Sequence, residues 1–295
     1  MTTFVQMVIN GLALGSVYAL IALGFTVIFR AAGTMNFAQS SVMLLGGLLV
    51  ARLHEALGFW GALLVAAAAT ALVSVLEALL LRAARKRDLA SLAIMTIGFN
   101  TLLLAELSRQ IGSDVLSLGD PWGSRIVEFS GITVAQTRVA SLAVAGVLIA
   151  AFFLAFRFTR WGLAMRASAM DVEAAALMGI RRRRLELSGW AIAGGLAAVA
   201  IAFLAAFPSQ GLDQTTGEVA LAAFPAAIIG GLGNPAGALV GSLLIGVTEA
   251  AAATYQNDLT LLGSGLSLIA PYVVMVAVLL VRPQGLLGTR ETSRV

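Results

Sequence analysis

Apolar residues in this chain run on for about 20 positions at a time, and such runs recur from one end to the other. Neither the alternation of a half-buried strand nor the one-sided stripe of a soluble helix describes them. A helix of about 20 apolar residues crosses roughly 30 Å of hydrocarbon. Lipid offers no partner to an open backbone, and the short alternating segments of a closed barrel are absent, so the runs predict spanning helices. They fall at 4–29, 36–53, 58–81, 90–111, 138–157, 187–207, 219–232, 235–256 and 265–281. Two are irregular. The second opens on Asn36, Gln39, Ser40 and Ser41 after the break Gly33-Thr34, and the seventh is short and ends in Gly230-Gly231-Leu232-Gly233-Asn234-Pro235. The predicted fold class is all-α. It is a single polytopic membrane domain over 1–295 with about 8–9 membrane segments, broken or re-entrant near 31–41 and 230–237. Small residues at Gly11/Gly15, Gly194-Gly195 and Gly233/Gly237/Gly241 predict close backbone packing between helices. The Gly230–Gly237 stretch also suits a flexible break beside a solute path.

Composition narrows the class further. Charged residues make up 12% of the chain, about half the share in a soluble domain, and mean hydropathy is +0.95. With no cysteine and one histidine, His54, disulfides, thiolate catalysis and His/Cys metal sites are excluded. No cofactor is expected. Met1–Phe29 lacks a basic leader and exceeds a signal peptide's apolar core, which predicts a retained first helix. The basic residues lie in inter-helix loops rather than on one face, so the net charge of +4 does not point to nucleic acid.

Charge placement predicts orientation. Arg30, the 82–88 loop (Arg82, Arg85, Lys86, Arg87), the loop with Arg157, Arg160, Arg166 and Arg181 to Arg184, and Arg282, Arg290 and Arg294 are assigned to the cytoplasm. Only Arg52, Arg109, Arg125 and Arg138 then lie outside, beside acidic residues such as Glu55, Asp213 and Asp258. The N-terminus is predicted outside and the C-terminus inside. An odd number of crossings follows.

The longest cytoplasmic loop, about 158–186, holds an amphipathic pattern. Ser168-Ala169-Met170-Asp171 fits a helix N-cap with Asp171 in the first turn, and Gly179 sits where a helix stops. Met170, Ala174, Leu177 and Met178 share one face of a helix roughly 15 Å long, too short to span. Such a helix lies on headgroups or docks into a partner's groove.

Intramembrane acids are scarce. Glu77 is placed to reach Arg82 or Arg85, Glu106 to reach Arg109, and Glu249 sits deepest, as a pathway acid or a structural one. Asn36, Gln39, Ser40, Ser41, Gly230, Gly231, Gly233, Asn234 and Glu249 are the candidate pathway residues. Paired Asp, a Ser/His pair and a metal cluster are all missing, so no enzyme is expected. A phosphate-binding G-x-x-x-x-G-K-[ST] is missing too, so any ATP hydrolysis belongs to other subunits. An ion-coupled secondary transporter is the alternative, since such proteins bind solute at broken helices.

Several stretches resemble a known family. Glu173-Ala174-Ala175 with Gly179 fits the E-A-A-x-x-x-G core by which permeases of ATP-binding cassette importers contact their ATPases, although Arg181–Arg184 and Leu185 replace its Leu-Pro end. Asn10 to Gly24 is similar to the first helix of branched-chain amino acid permeases, the LivH-like family. Met35-Asn36-Phe37-Ala38-Gln39 resembles the following I-N-F-A-H-G-E signature, with Gln39, Ser40 and Ser41 in place of His-Gly-Glu. Ala226 to Ala238 resembles A-A-V-L-G-G-I-G-S-I-P-G-A, and Arg282 to Gly288 resembles the terminal M-P-T-G-I-L-G. The resemblance implies a permease that moves branched-chain amino acids or a related small solute. Its implied partners are a second permease subunit, two ATP-binding subunits and a periplasmic solute-binding protein, all at the membrane lipid. The implied coupling residues are Ser168, Asp171, Glu173, Ala174, Ala175, Leu177, Met178 and Gly179.

Overall fold

The computed structural model describes residues 2–84, 88–122, 125–129, 132–206, 211–256 and 265–288. Arg85, Lys86, Arg87, Asp258, Arg290 and Arg294, used above to orient the chain, lie outside the described residues.

Helix α1 (Thr2–Ala32) runs through the centre, with Tyr18 to Leu23 buried. Helix α2 (Gln39–Ala83) is 45 residues long and is broken at Gly58, whose φ of 68° and ψ of 166° belong to glycine. Asn36 bonds Glu77, and a Cβ on Gly46 would meet Thr70 Cγ2 at 3.2 Å. Both pairs bracket Gly58, and the outer pair lies further from it on each side, so the two halves of α2 run antiparallel. They are the predicted segments 36–53 and 58–81.

Helix α3 (Leu89–Ile111) starts at Asp88, whose carboxylate accepts from the Ser91 amide. The Ser91 hydroxyl, together with this amide, holds the Asp88 carboxyl below its usual range. An antiparallel hairpin follows, β1 (Ile126–Phe129) on β2 (Ile132–Ala135), with Ile126 opposite Ala135. Gln6 donates to the Thr133 carbonyl at 2.7 Å and so ties the hairpin to the start of α1. This hairpin was not predicted; its two strands of four residues are too short for alternation to register.

Next come α4 (Gln136–Phe158), α5 (Arg160–Met170), α6 (Val172–Leu177) and α7 (Arg182–Ala206). A 3₁₀ turn (Thr216–Glu218) leads into α8 (Val219–Gly230), then α9 (Pro235–Thr254) and α10 (Leu266–Val281). At 12 residues α8 is the predicted half-length segment. Six of the described helices are long and apolar enough to cross a membrane.

Small residues set the packing. On α1, a Cβ at Gly11 would stand 2.7 Å from Val247 Cα, and one at Gly15 2.9 Å from Leu243 Cα, both on α9. Gly194 of α7 faces the Thr70 carbonyl, while Gly237 and Gly241 of α9 face the backbone of Gly230 and Ala226 on α8. Gly233 and Gly195 take no such part, so the predicted runs are right in place and partly wrong in member. Outward, α2, α3, α4 and α10 present Leu64, Leu102, Val147 and Leu268. Surface of that kind belongs against hydrocarbon rather than water.

Candidate functional site

Four places carry polar chemistry. The first is a buried knot where the chain re-enters ahead of α2. Asn36 Oδ1 accepts from the Ala38 amide at 2.8 Å, and its Nδ2 donates to Glu77 Oε2 at 3.3 Å. Ser40 Oγ donates to Asn100 Oδ1 at 2.9 Å, Ser41 Oγ to the Ala38 carbonyl at 3.0 Å, and Gln39 Nε2 to the Ala193 carbonyl at 3.3 Å. All four predicted residues and Glu77 are buried. Glu77 was expected to reach Arg82 or Arg85. It bonds Asn36 instead, because the antiparallel return of α2 brings the re-entrant turn beside it, and Arg82 pairs with Glu186.

The second is the turn after α8. Gly231 adopts φ 94° and its amide faces Gly285 of the C-terminal stretch. Leu286 and Leu287 donate amides to the carbonyls of Ile229 and Gly230, and Asn234 Nδ2 donates to the Leu287 carbonyl at 2.8 Å. Asn234 Oδ1 in turn caps α9 through the amides of Ala236 and Gly237. Arg30 Nη1 donates to the Gly233 carbonyl at 2.6 Å. Gly230, Gly231, Gly233 and Asn234 therefore form a clamped corner rather than a flexible break. Gly230 and Gly231 must be small because backbones touch there, at Gly237 and Gly288 respectively, whereas Gly233 faces open space.

The third is the α5–α6 elbow. Thr159 caps α5 by accepting the Gly162 amide, Arg166 donates to the Phe156 carbonyl, and Trp161 Nε1 donates to Ser188 Oγ at 2.8 Å. Arg30 and Arg166 both lie over the Phe156 ring, 5.2 and 5.4 Å from its centre. These ties fix α5 to the bundle.

The predicted single helix from Ser168 is instead two. Ser168 is buried inside α5, and Asp171 is the cap of α6, its Oδ1 accepting from the amides of Glu173 and Ala174 at 2.9 Å each. Asp suits this position better than Ser168 because its charge also meets the helix dipole. α6 has six residues rather than the length predicted. It ends as predicted at Gly179, with φ 82° and Gly179 and Ile180 donating to Ala176 and Ala175. Met170, Leu177 and Met178 are 88%, 89% and 83% exposed, while Ala175 is buried against its own chain. The apolar tip is therefore Met170, Leu177 and Met178 with exposed Ala174, and Ala175 belongs to the support beneath.

The fourth is a cavity of ≈ 460 Å³ lined by α1, α4, α7, α9 and the loop before α8. Tyr18 Oη donates to Glu249 Oε2 at 2.9 Å, and Thr137, Arg138, Asp213 and Thr216 share the lining. The Thr216 hydroxyl, opposed by partial burial and helped by Thr215, holds the Asp213 carboxyl below its usual range. Of the predicted pathway residues only Glu249 reaches this cavity. Sequence reasoning missed Tyr18, Thr137 and Arg138. A tyrosine inside an apolar helix, 231 positions from its acid, was the available signal.

The family described as branched-chain amino acid transport system / permease component matches residues 7–281. The chain is 32% identical to the high-affinity branched-chain amino acid transport system permease protein LivH of Salmonella typhimurium, over 99% of this chain and 98% of that one. It is 29% identical to the corresponding protein BraD of Pseudomonas aeruginosa, over 99% and 98% of the two chains. It is also 29% identical to the probable branched-chain amino acid transport permease protein LivH of Methanocaldococcus jannaschii, over 96% and 92%. On a fold of long apolar helices, with the family matched over residues 7–281 and a relative 32% identical over nearly the whole of both chains, the chain belongs to the branched-chain amino acid transport system permease component family.

Proposed function

We propose that the chain is the membrane-spanning subunit of an ATP-binding cassette importer in a bacterial inner membrane, N-terminus outside and C-terminus in the cytoplasm. It passes branched-chain amino acids, or a closely related small amphipathic solute, without changing them covalently. A second permease subunit completes the pathway, two ATP-binding subunits supply the drive, and a periplasmic solute-binding protein delivers solute to the outer loops.

The observation that carries the reading is α6. A helix of six residues held at both ends by Asp171 and Gly179, on an α5 tied to the bundle, is rigid although it is exposed. Its tip of Met170, Leu177 and Met178 is apolar, and apolar surface of this kind favours a partner's groove. Motion of such a groove would pass through Trp161 and Arg166 into α7 and α4 rather than dissipate in a loop. Copurification on the tagged chain, with mass spectrometry of what is retained, tests the reading. Two ATP-binding subunits and a second permease are expected. Recovery of the chain alone under conditions that keep membrane complexes intact contradicts it.

A further inference from the structure

We propose that the arginine cluster at the ends of α1 and α4 is a binding site for the phosphate of an anionic phospholipid. Arg30 lies in the last turn of α1 and Arg157 in the last turn of α4, so both stand where a spanning helix leaves the hydrocarbon. Arg166 of α5 joins them. It shares the Phe156 ring with Arg30, at 5.4 and 5.2 Å from the ring centre, and its Nη2 donates to the Arg157 carbonyl at 3.4 Å. Arg157 itself rests over the Phe158 ring, 5.4 Å from the centre.

The fold answers only part of this charge. Arg30 Nη1 donates to the Gly233 carbonyl, and Arg166 donates to the Phe156 and Arg157 carbonyls at the open end of α4. Those bonds cap a helix, but a carbonyl carries no net charge. The C-termini of α1 and α4 together offset about one of the three positive charges, which leaves a local excess of roughly +2. No carboxylate pairs with Arg30, Arg157 or Arg166 among the described residues. Donors are also left over: Arg30 Nε has no hydrogen-bond partner there, and the Arg157 guanidinium makes no hydrogen bond. Spare guanidinium donors and uncompensated positive charge together select an oxyanion, and phosphate matches the guanidinium fork. The surroundings select a lipid as its source. Leu154 and Phe158 of α4 and Leu163 of α5 are exposed beside the arginines, an apolar flank suited to acyl chains below a phosphate. Basic pockets between helix ends accept anionic headgroups in this way.

Native mass spectrometry of the purified full-length chain in a neutral detergent, titrated with dioleoylphosphatidylglycerol or dioleoylphosphatidylcholine, tests the site. Binding of the first lipid should be at least about fivefold tighter. Arg157→Gln and Arg166→Gln should each weaken it about fivefold. Arg157→Gln removes no hydrogen bond made within the protein, so its fold is retained. Arg183→Gln, an exposed position in the first turn of α7 outside the cluster, removes the same charge and should change binding by less than about twofold at physiological salt. Glycerol 3-phosphate carries the phosphate without acyl chains and should not displace the lipid at equal concentration. Equal binding of the two lipids, parent-like affinity in Arg157→Gln, an equal loss in Arg183→Gln, or displacement by glycerol 3-phosphate overturns the proposal. Capture of the ATP-binding subunit is measured on the same variants. Its loss while lipid binding is retained marks the cluster as a protein contact and also overturns the lipid site, whereas failure of capture by the parent chain bears on the importer reading alone.

Discussion

Replacing Leu177 and Met178 together by alanine separates docking from folding. Both side chains point away from the protein, at 89% and 83% exposure, and contribute almost nothing to its own packing. Each truncation removes about three heavy atoms, worth roughly 0.8 kcal/mol apiece when fully buried. Complete burial in a partner would therefore place about 5 kcal/mol at stake. Halving that for incomplete burial leaves about 2.5 kcal/mol, close to a hundredfold in Kd. The thermal stability of the free chain should move by less than about 0.5 kcal/mol. Biolayer interferometry between the ATP-binding subunit and the chain in nanodiscs reads the first quantity, and thermal unfolding of the free chain reads the second. Parent-like affinity of the double variant refutes the docking assignment. Ala175→Asp is the poorer test, because Ala175 is buried against its own chain and a charge there damages the elbow itself.

Orientation is read with single cysteines in this cysteine-free chain. Ser117→Cys should label with an impermeant thiol reagent in intact cells and Glu173→Cys only after lysis, and labelling of both from outside reverses the topology. Gly241→Val forces a side chain into the Ala226 carbonyl and should cost at least about 2 kcal/mol in thermal unfolding, whereas Gly233→Ala, with nothing within 4 Å, should be near neutral. The Asp213 carboxyl is held below its usual range by Thr216 and Thr215. Its contribution is thus complete at neutral pH and is lost as pH falls below about 4 through the lowered folded value. Asp213→Asn should remove that part of the acid dependence of stability, and an unchanged acid limb would show that the loop does not depend on this carboxylate.

Much of the fold was legible because membrane helices are specified by length and hydropathy, and both halves of α2, the short α8 and the stop at Gly179 fall where the pattern put them. The small-residue runs also named the right helices. What failed was partnership. Glu77 looked placed to reach Arg82 or Arg85, yet the reversal at Gly58 brings Asn36 to it. Ser168 and Asp171 both fit a cap, and linear sequence cannot choose between them; the break after Met170 makes Asp171 the cap. Gln39, Ser40 and Ser41 read as a polar lining because they follow a break. In the fold Ser40 Oγ, Ser41 Oγ and Gln39 Nε2 bond Asn100, Ala38 and Ala193, while Gln39 Oε1 is buried with no hydrogen-bond partner among the described residues. The cavity was invisible for the same reason. Glu249 was singled out from the sequence, but Tyr18 and Thr137, which line the cavity with it, come from helices far apart in sequence.

The central claim is ATP-driven import through this chain. The importer copurified on it, reconstituted in sealed proteoliposomes with its solute-binding protein outside, should accumulate L-leucine when ATP is enclosed with the ATP-binding subunits. Uptake should be unaffected by collapsing the sodium and proton gradients. Accumulation that needs an ion gradient and ignores ATP would contradict the account.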